Sequence, residues 1–248
     1  MELNKIYNKD FAELFSDIPD NSIDLLLTDP PYGTTKNKWD IPINLDVFWK
    51  EAERVTKDNA AILIFTQMPF TAAVVMSNPK KFRYEWIVEK NNPTGFLNAR
   101  RMPLKAHENV LVFYNKLPVY HPQMTQGKPY TCGQSSHHSS NYNFFEYEAK
   151  KNYSGERFPR DVLKVQWRPP FSRTYHPTQK PVSLCEYFIK TYTDEGAVIL
   201  DPFIGSGTTA AAAVNTNRNY IGGELSKEYY DIAIERMSNI AKNGDTER

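Results

Sequence analysis

Two Asp-Pro pairs, each closing an apolar run, are the parts of this sequence best suited to chemistry. The first run, Ile23-Asp24-Leu25-Leu26-Leu27-Thr28, leads into Asp29-Pro30-Pro31-Tyr32. Short, apolar and followed by turn residues, it reads as a buried parallel strand. Ligands of an open α/β sheet bind beyond the carboxyl ends of its strands, so these four residues stand where a site forms. Proline fixes φ and carries no N–H, which presents the Asp29 and Pro30 carbonyls as acceptors on a stiff turn. A carboxylate oxygen beside a carbonyl oxygen suits a group with two N–H donors. Tyr32 adds a flat face for a planar ring. The constellation fits reaction at the amino group of a nucleobase or an amide. A Pro-rich turn without such a role is the plain alternative.

The second run reads Gly196-Ala197-Val198-Ile199-Leu200-Asp201-Pro202-Phe203-Ile204-Gly205-Ser206-Gly207-Thr208-Thr209. Gly205 and Gly207 permit a tight turn and close approach of backbone to a ligand. Ala210 to Ala213 continue as a strong helix former. About twenty residues beyond Gly205, the strand Asn219-Tyr220-Ile221-Gly222-Gly223 ends at Glu224, the spacing at which a Rossmann-type site grips a ribose diol. Strand, glycine turn, helix, strand and acid in that order signal a nucleoside site. A nicotinamide dehydrogenase fits less well, because no third glycine follows Gly207 at the dinucleotide spacing.

Together the motifs resemble the amino-group DNA methyltransferases that use S-adenosylmethionine, in the permuted subgroup called beta. Asp29-Pro30-Pro31-Tyr32 matches the catalytic motif, His176-Pro177-Thr178-Gln179-Lys180-Pro181 the motif before the cofactor strand, and Asp201 to Thr209 the cofactor loop. His107-Glu108-Asn109-Val110-Leu111-Val112-Phe113 looks like the late sheet strand. The catalytic motif comes first and the cofactor loop last, which is the subgroup's order. The resemblance covers most of the chain.

That resemblance implies an α/β, doubly wound, Rossmann-like fold with a mostly parallel sheet and an inserted target-recognition region. It implies transfer of a methyl group from S-adenosyl-L-methionine to the exocyclic amino group of a flipped-out base in double-stranded DNA. Asp29, Pro30, Pro31 and Tyr32 are then catalytic. Gly205, Ser206 and Gly207 admit the cofactor by their backbone, with Asp201 and Thr208 beside them. Phe203 packs near the adenosine, Glu224 takes the ribose hydroxyls, and Thr178 and Lys180 meet the methionine carboxylate, with Asp29 near the amino end. Asn8-Lys9-Asp10 stands where the family has a Gly-Asp pair at the cofactor adenine. Asp10 is therefore either a cofactor contact or the cap of a helix starting at Phe11. Asp at the head of the catalytic motif favours adenine N6; cytosine N4 enzymes more often carry Ser. Cytosine N4 methylation, methylation of a protein glutamine amide, and an inactive DNA-binding relative are the alternatives. A homodimer and a cognate restriction endonuclease are open possibilities for a bacterial or phage-encoded enzyme of this kind.

Bulk properties set the frame. The 248 residues, 40 % of them hydrophobic, suffice for one sizeable core and argue against disorder. The absence of a membrane-length apolar run or a leader-like opening points to the cytoplasm. Net charge is +1, so a nucleic-acid surface has to come from local clustering. Cys132 and Cys185 give no disulfide framework, and neither follows a proline as in cytosine C5 enzymes. Cys132, His137 and His138 lack the spacing of a tetrahedral metal set, so no metal is expected.

Positioning the motifs requires alternating strands and helices. Strands are expected near 3–7, 23–28, 60–65, 82–89, 107–114, 197–200 and 219–224. Helices are expected near 11–18, 45–57, 70–77, 181–193, 206–216 and 226–241. This rhythm gives a doubly wound parallel sheet. Residues 116–170 break it, rich in Asn, Ser, Tyr, Pro and basic residues. The resemblance makes residues 1–115 and 171–248 the catalytic domain and places the target-recognition region at 116–170. Lys150, Lys151, Arg157, Arg160, Lys164, Arg168 and Arg173 interleave there with Tyr147, Tyr153, Phe158, Trp167 and Phe171, a pattern suited to phosphate neutralisation and stacking. Arg100 and Arg101 add a basic pair in a polar loop near the active edge.

Overall fold

The computed structural model describes residues 1–33, 42–131, 135–139, 142–147, 151–167, 175 and 179–243, with no side chains described between 132 and 150. In chain order the first elements are β1 (Lys5–Tyr7), α1 (Phe11–Ser16), β2 (Ile23–Thr28), α2 (Leu45–Val55), β3 (Thr56–Thr66), α3 (Phe70–Ser77), β4 (Phe82–Thr94) and β5 (Lys105–Phe113). Short strands follow: β6 (Thr125–Gln126), β7 (Tyr130–Thr131), β8 (Ser135–Ser139), β9 (Tyr142–Tyr147), β10 (Lys151–Asn152), β11 (Glu156–Arg157) and β12 (Val162–Val165). The chain ends with α4 (Val182–Tyr192), β13 (Val198–Asp201), α5 (Thr208–Asn215), β14 (Asn219–Gly223) and α6 (Lys227–Asn243).

Eight of these strands form one sheet in the order β1-β14-β13-β2-β3-β5-β4-β12. Neighbours are parallel except at β5, which is antiparallel to both β3 and β4. One edge of the sheet therefore collects the carboxyl ends of seven strands and the amino end of β5. Strand alternation sorts the core into two layers. Leu25, Leu27, Leu63 and Phe65 pack with Leu184 and Phe188 of α4 and the alanines of α5. Leu26, Ile62 and Ile64 pack instead with Leu14 and Phe15 of α1, Phe48 of α2 and Phe70 of α3. Each fully buried side chain of this kind contributes roughly 1.5–3 kcal/mol. Asp24 interrupts the apolar β2 without being left unpaired. It accepts the Val198 N–H at 2.9 Å and pairs with Lys57 at 2.7 Å.

From β13 the chain winds outward through α5 to β14, and from β2 it winds the other way through α2 to β3. The β13/β2 junction is thus the topological switch point, where a doubly wound sheet opens its crevice.

The chain divides into two compact units, Met1–His121 with Asp161–Arg248, and Pro122–Arg160. The division falls inside the 116–170 segment that the sequence set apart. Val162–Val165 belongs to the sheet, paired in parallel with Ile87–Lys90 of β4. Its alternation explains this: Leu163 and Val165 pack against the core while Val162 and Lys164 face out. Among its described residues the smaller unit holds three two-stranded ribbons, β7–β10, β6–β11 and β8–β9. Among the described residues, no helix is long and apolar enough to cross a membrane.

Candidate active site

Asp29 leaves β2 at the switch point and lines a cavity of about 1320 Å³ that also reaches Tyr32, Glu108, Lys180, Asp201 and Glu224. Tyr32 donates its hydroxyl to one Asp29 oxygen, and Lys180 donates its ammonium to the other. The Tyr32 ring lies on Phe70 at 5.3 Å between centroids, tilted by 25°. Pro30 is buried and Pro31 half-buried, so the turn is held from beneath. Although 27 % of the Asp29 side chain still faces the cavity, enclosure pushes its carboxyl above the usual range, and Lys180 opposes this only in part.

Behind Asp29 runs a row of buried charges. The sequence expected Lys180 at the methionine carboxylate; in the structure its ammonium bonds Asp29, with Glu108 at 3.5 Å. Glu108 in turn accepts from Lys90 at 3.1 Å and from Gln67 at 3.0 Å. Burial alone would lower the Lys180 pKa, but Asp29 and Glu108 outweigh it and raise it. For Glu108 burial works upward, but Lys180 and Lys90 outweigh it and hold the carboxyl below its usual value. Sequence reasoning gave Glu108 and Lys90 no role. The available signal was an acid two residues before the apolar run 110–113 of a strand.

The second motif builds the other half of the cavity. Asp201, 4 % exposed, accepts from Thr28 Oγ1 at 2.7 Å, Thr209 Oγ1 at 2.6 Å and the Phe203 N–H at 3.1 Å. It thereby ties the ends of β2 and β13 to the start of α5. Burial pushes its carboxyl up to about 6, against the pull of the two hydroxyls. Gly205 and Gly207 adopt positive φ of 54° and 83°, which the turn into α5 requires. Gly207 is not among the cavity-lining residues; a Cβ there would stand 3.3 Å from Ala233 of α6, so its place is in packing.

Glu224 accepts the Gly205 N–H at 3.0 Å and the Ser226 N–H at 2.7 Å, and burial raises its carboxyl. The glycine pair before it also has a reason. Ile204 donates to the Gly223 carbonyl at 2.8 Å, and a Cβ on Gly222 would come within 2.4 Å of the Ile204 side chain. Phe203 meets Phe11 at 5.3 Å between rings. Asp10 caps α1, its side chain accepting the Ala12 N–H at 2.9 Å, and it also lines the cavity. Arg236 of α6, 1 % exposed, donates to the Ser206 carbonyl at 3.1 Å and to Thr208 Oγ1 at 3.2 Å. It clamps the loop from below and was missed in the sequence, where it sits one helical turn after Ala233 on the buried face.

The family model described as DNA methylase, for N6 and N4 amino methylation, matches residues 23–235. The chain belongs to this family of S-adenosylmethionine-dependent DNA methyltransferases. It is 32 % identical to the Type II methyltransferase M.BglII of Bacillus subtilis, over 95 % of this chain and 69 % of that protein. It is 28 % identical to the orphan methyltransferase M.BamHII of Bacillus amyloliquefaciens, over 90 % of this chain and 91 % of the relative. The solved M1.HpyAVI–SAM complex superposes with a TM-score of 0.64 at 25 % identity, covering 94 % of this chain and 98 % of the other. The cytosine-N4-specific PvuII DNA methyltransferase shares the fold, with a TM-score of 0.66 at 18 % identity over 95 % and 90 % of the two chains.

The cavity of this DNA methyltransferase suits S-adenosylmethionine by its donor set. A carboxylate, Glu224, stands beside the glycine turn, aromatic Phe203 faces the same space, and the volume exceeds that of a usual small-ligand pocket, roughly 300–1,000 Å³. Cys185 also lines the cavity but is buried, and burial pushes its thiol up to about 12, which leaves no thiolate for attack at neutral pH. Among the expected DNA contacts, Arg100 and Arg101 are exposed just after the turn Phe96–Asn98, and Lys151 and Arg160 are exposed in the smaller unit. Arg157 is engaged within that unit: its guanidinium lies 4.0 Å over the Tyr130 ring and donates to the Gly155 carbonyl at 2.8 Å. Trp167 lies in the larger unit, with Lys90 5.1 Å over its ring. His176, Thr178, Lys150, Arg168, Phe171, Arg173 and Cys132 lie outside the described residues, as do the side chains of Tyr147, His137 and His138.

Proposed function

We propose that this DNA methyltransferase methylates N6 of adenine at a specific site in double-stranded DNA, acting on a base flipped out of the helix. The observation that carries the reading is the single cavity joining Asp29, at the end of β2, to the glycine turn and Glu224 of the second motif. Asp at the head of the four-residue motif favours adenine over cytosine. The Type II relatives support site specificity and make a cognate restriction endonuclease the partner to seek, with the orphan relative as counter-example. Specificity is assigned to the Pro122–Arg160 unit, with exposed Lys151 and Arg160 neutralising phosphates.

An exocyclic amino nitrogen is a weak nucleophile because its lone pair is delocalised into the ring. Asp29 and the Pro30 carbonyl each accept one of its N–H bonds, which favours a pyramidal nitrogen with its lone pair directed away from the ring. Tyr32 and Lys180 occupy one site on each Asp29 oxygen, and a carboxylate has about four lone-pair sites, so acceptor capacity remains. The Tyr32 ring, backed by Phe70, holds the extruded base by stacking. When bound, S-adenosylmethionine supplies a methyl group on a sulfonium sulfur, which keeps the electron pair of the broken S–C bond as the N–C bond forms. Asp29 stabilises the positive charge developing on nitrogen and takes the proton it releases, a task for which burial has raised its proton affinity. Glu224 holds the ribose hydroxyls, and Gly205 and Ser206 admit the cofactor by their backbone. Nucleoside mass spectrometry of DNA treated with the enzyme and S-adenosylmethionine should show N6-methyladenine. N4-methylcytosine as the sole product would replace adenine with cytosine in this assignment.

A further inference from the structure

The row Lys90–Glu108–Lys180–Asp29 holds two cations and two anions within a few ångströms, and its first three members are almost wholly enclosed. The side chains of Lys90, Glu108 and Lys180 are 3 %, 7 % and 8 % exposed. Burying such charges is costly, and well-packed apolar residues of similar volume are often as stable or more so, so stability gives little reason to keep the row. Its geometry points elsewhere. Glu108 uses one oxygen for Lys90 and Gln67; among the described residues its other oxygen has no hydrogen bond, and it lies 3.5 Å from Lys180. Lys180 rests 5.2 Å over the Phe65 ring and Lys90 5.1 Å over Trp167, so aromatic faces limit where each ammonium can go. The row ends at Asp29, the carboxylate set against the target amino group in the mechanism above.

We propose that Lys180 keeps the Asp29 carboxylate ionised and aimed into the cavity, and that Glu108 and Lys90 are positioning residues that set how Lys180 is shared: Glu108 draws it from Asp29, and Lys90 offsets that draw. The inference rests on the methyl-transfer reading above. Tyr32 faces Asp29 from its own loop. Lys180 and Cys185 face it from α4 and the segment before it, Asp201 from β13, and Glu108 from β5, with Lys90 of β4 behind Glu108. Removing the Lys180 cation makes Asp29 easier to protonate. Removing the Glu108 anion makes it harder, because a repelling charge is lost and Lys180 is left to Asp29 alone. Removing the Lys90 cation strengthens the hold of Glu108 on Lys180 and acts in the direction of losing Lys180.

The test is the pH dependence of kcat for DNA methylation, whose acid limb reports the essential base in the bound complex. Glu108→Gln should move that limb to lower pH, and Lys180→Met and Lys90→Met to higher pH, by at least about half a unit, or roughly threefold in rate on the limb. Lys180→Arg, which keeps the charge, should return the limb toward its wild-type position. A lower rate in the Gln and Met variants with the limb unmoved would overturn the inference, as would loss of folded protein in all of them, which would assign the row to stability. If wild-type protein transfers methyl groups to no DNA at any pH, the parent reading fails, and this inference falls with it for a different reason.

Discussion

Asp201→Asn should make folding stability less sensitive to pH, and the size of the effect follows from the site. Asp201 is 4 % exposed and bonded to two hydroxyls and one backbone N–H, and burial pushes its carboxyl up to about 6 from 3.8. An acid whose folded pKa lies above its unfolded value binds its proton more tightly when folded. Its protonated form is accommodated, and stability is lost as pH rises from about 3.8 through about 6. At about 1.4 kcal/mol per pKa unit, the full cost above pH 6 is about 3 kcal/mol, most of it developing between pH 4 and 7.5. Asn keeps the shape and an acceptor oxygen but cannot ionise. The comparison is the difference in unfolding free energy between variant and wild type, from urea melts at pH 4 and pH 7.5. That difference should move in favour of the variant by about 2–3 kcal/mol with rising pH, or roughly 4–12 °C in Tm for a chain of this size. A pH-independent difference would mean that Asp201 stays ionised across the range and that burial does not dominate its titration.

Glu224→Ala leaves the Gly205 and Ser226 N–H groups without their acceptor, since both donate to this carboxylate. Cofactor affinity, read by calorimetry, should fall about 10- to 100-fold while kcat at saturating cofactor changes far less; unchanged affinity would refute the ribose assignment. At Gly155 φ is 75° and a Cβ would stand 2.1 Å from the Gly127 carbonyl oxygen, so Gly155→Ala must distort the smaller unit. Filter binding should show lost DNA affinity with cofactor affinity retained, and wild-type DNA affinity in a folded Gly155→Ala protein would count against recognition by that unit.

The fold was legible wherever pattern and punctuation agree. β2 and β13 are short apolar runs stopped by Asp-Pro, and both fall where expected. Helix 45–57 stops at Val55 because the chain turns straight into β3 at Thr56. The fourth strand, expected to end at 89, continues to Thr94 because polar residues pair with β5 across an irregular register, Thr94 opposite Lys105. β12 was hidden because four alternating residues inside a polar stretch reveal themselves only when an edge strand is there to receive them. In the site, the residues carried by motifs came together: Asp29, Tyr32, Asp201, Gly205 and Glu224 share one cavity. What stayed unread depends on register between distant segments. Glu108 meets Lys90 only because β5 pairs antiparallel with β4, setting Glu108 opposite Val88. Arg236 reaches Ser206 only because α6 packs beneath the α5 turn.

The central claim is that Asp29 drives methyl transfer to an amino group of duplex DNA. Its most direct test is to treat a genomic DNA library with S-adenosylmethionine and either the wild-type or the Asp29→Ala protein, then map modified bases by modification-aware sequencing. The account predicts one recurrent sequence carrying a methylated adenine with the wild type. It predicts none with a folded Asp29→Ala protein that still binds cofactor. Equal methylation by both proteins, or none by the wild type at any sequence, would contradict it.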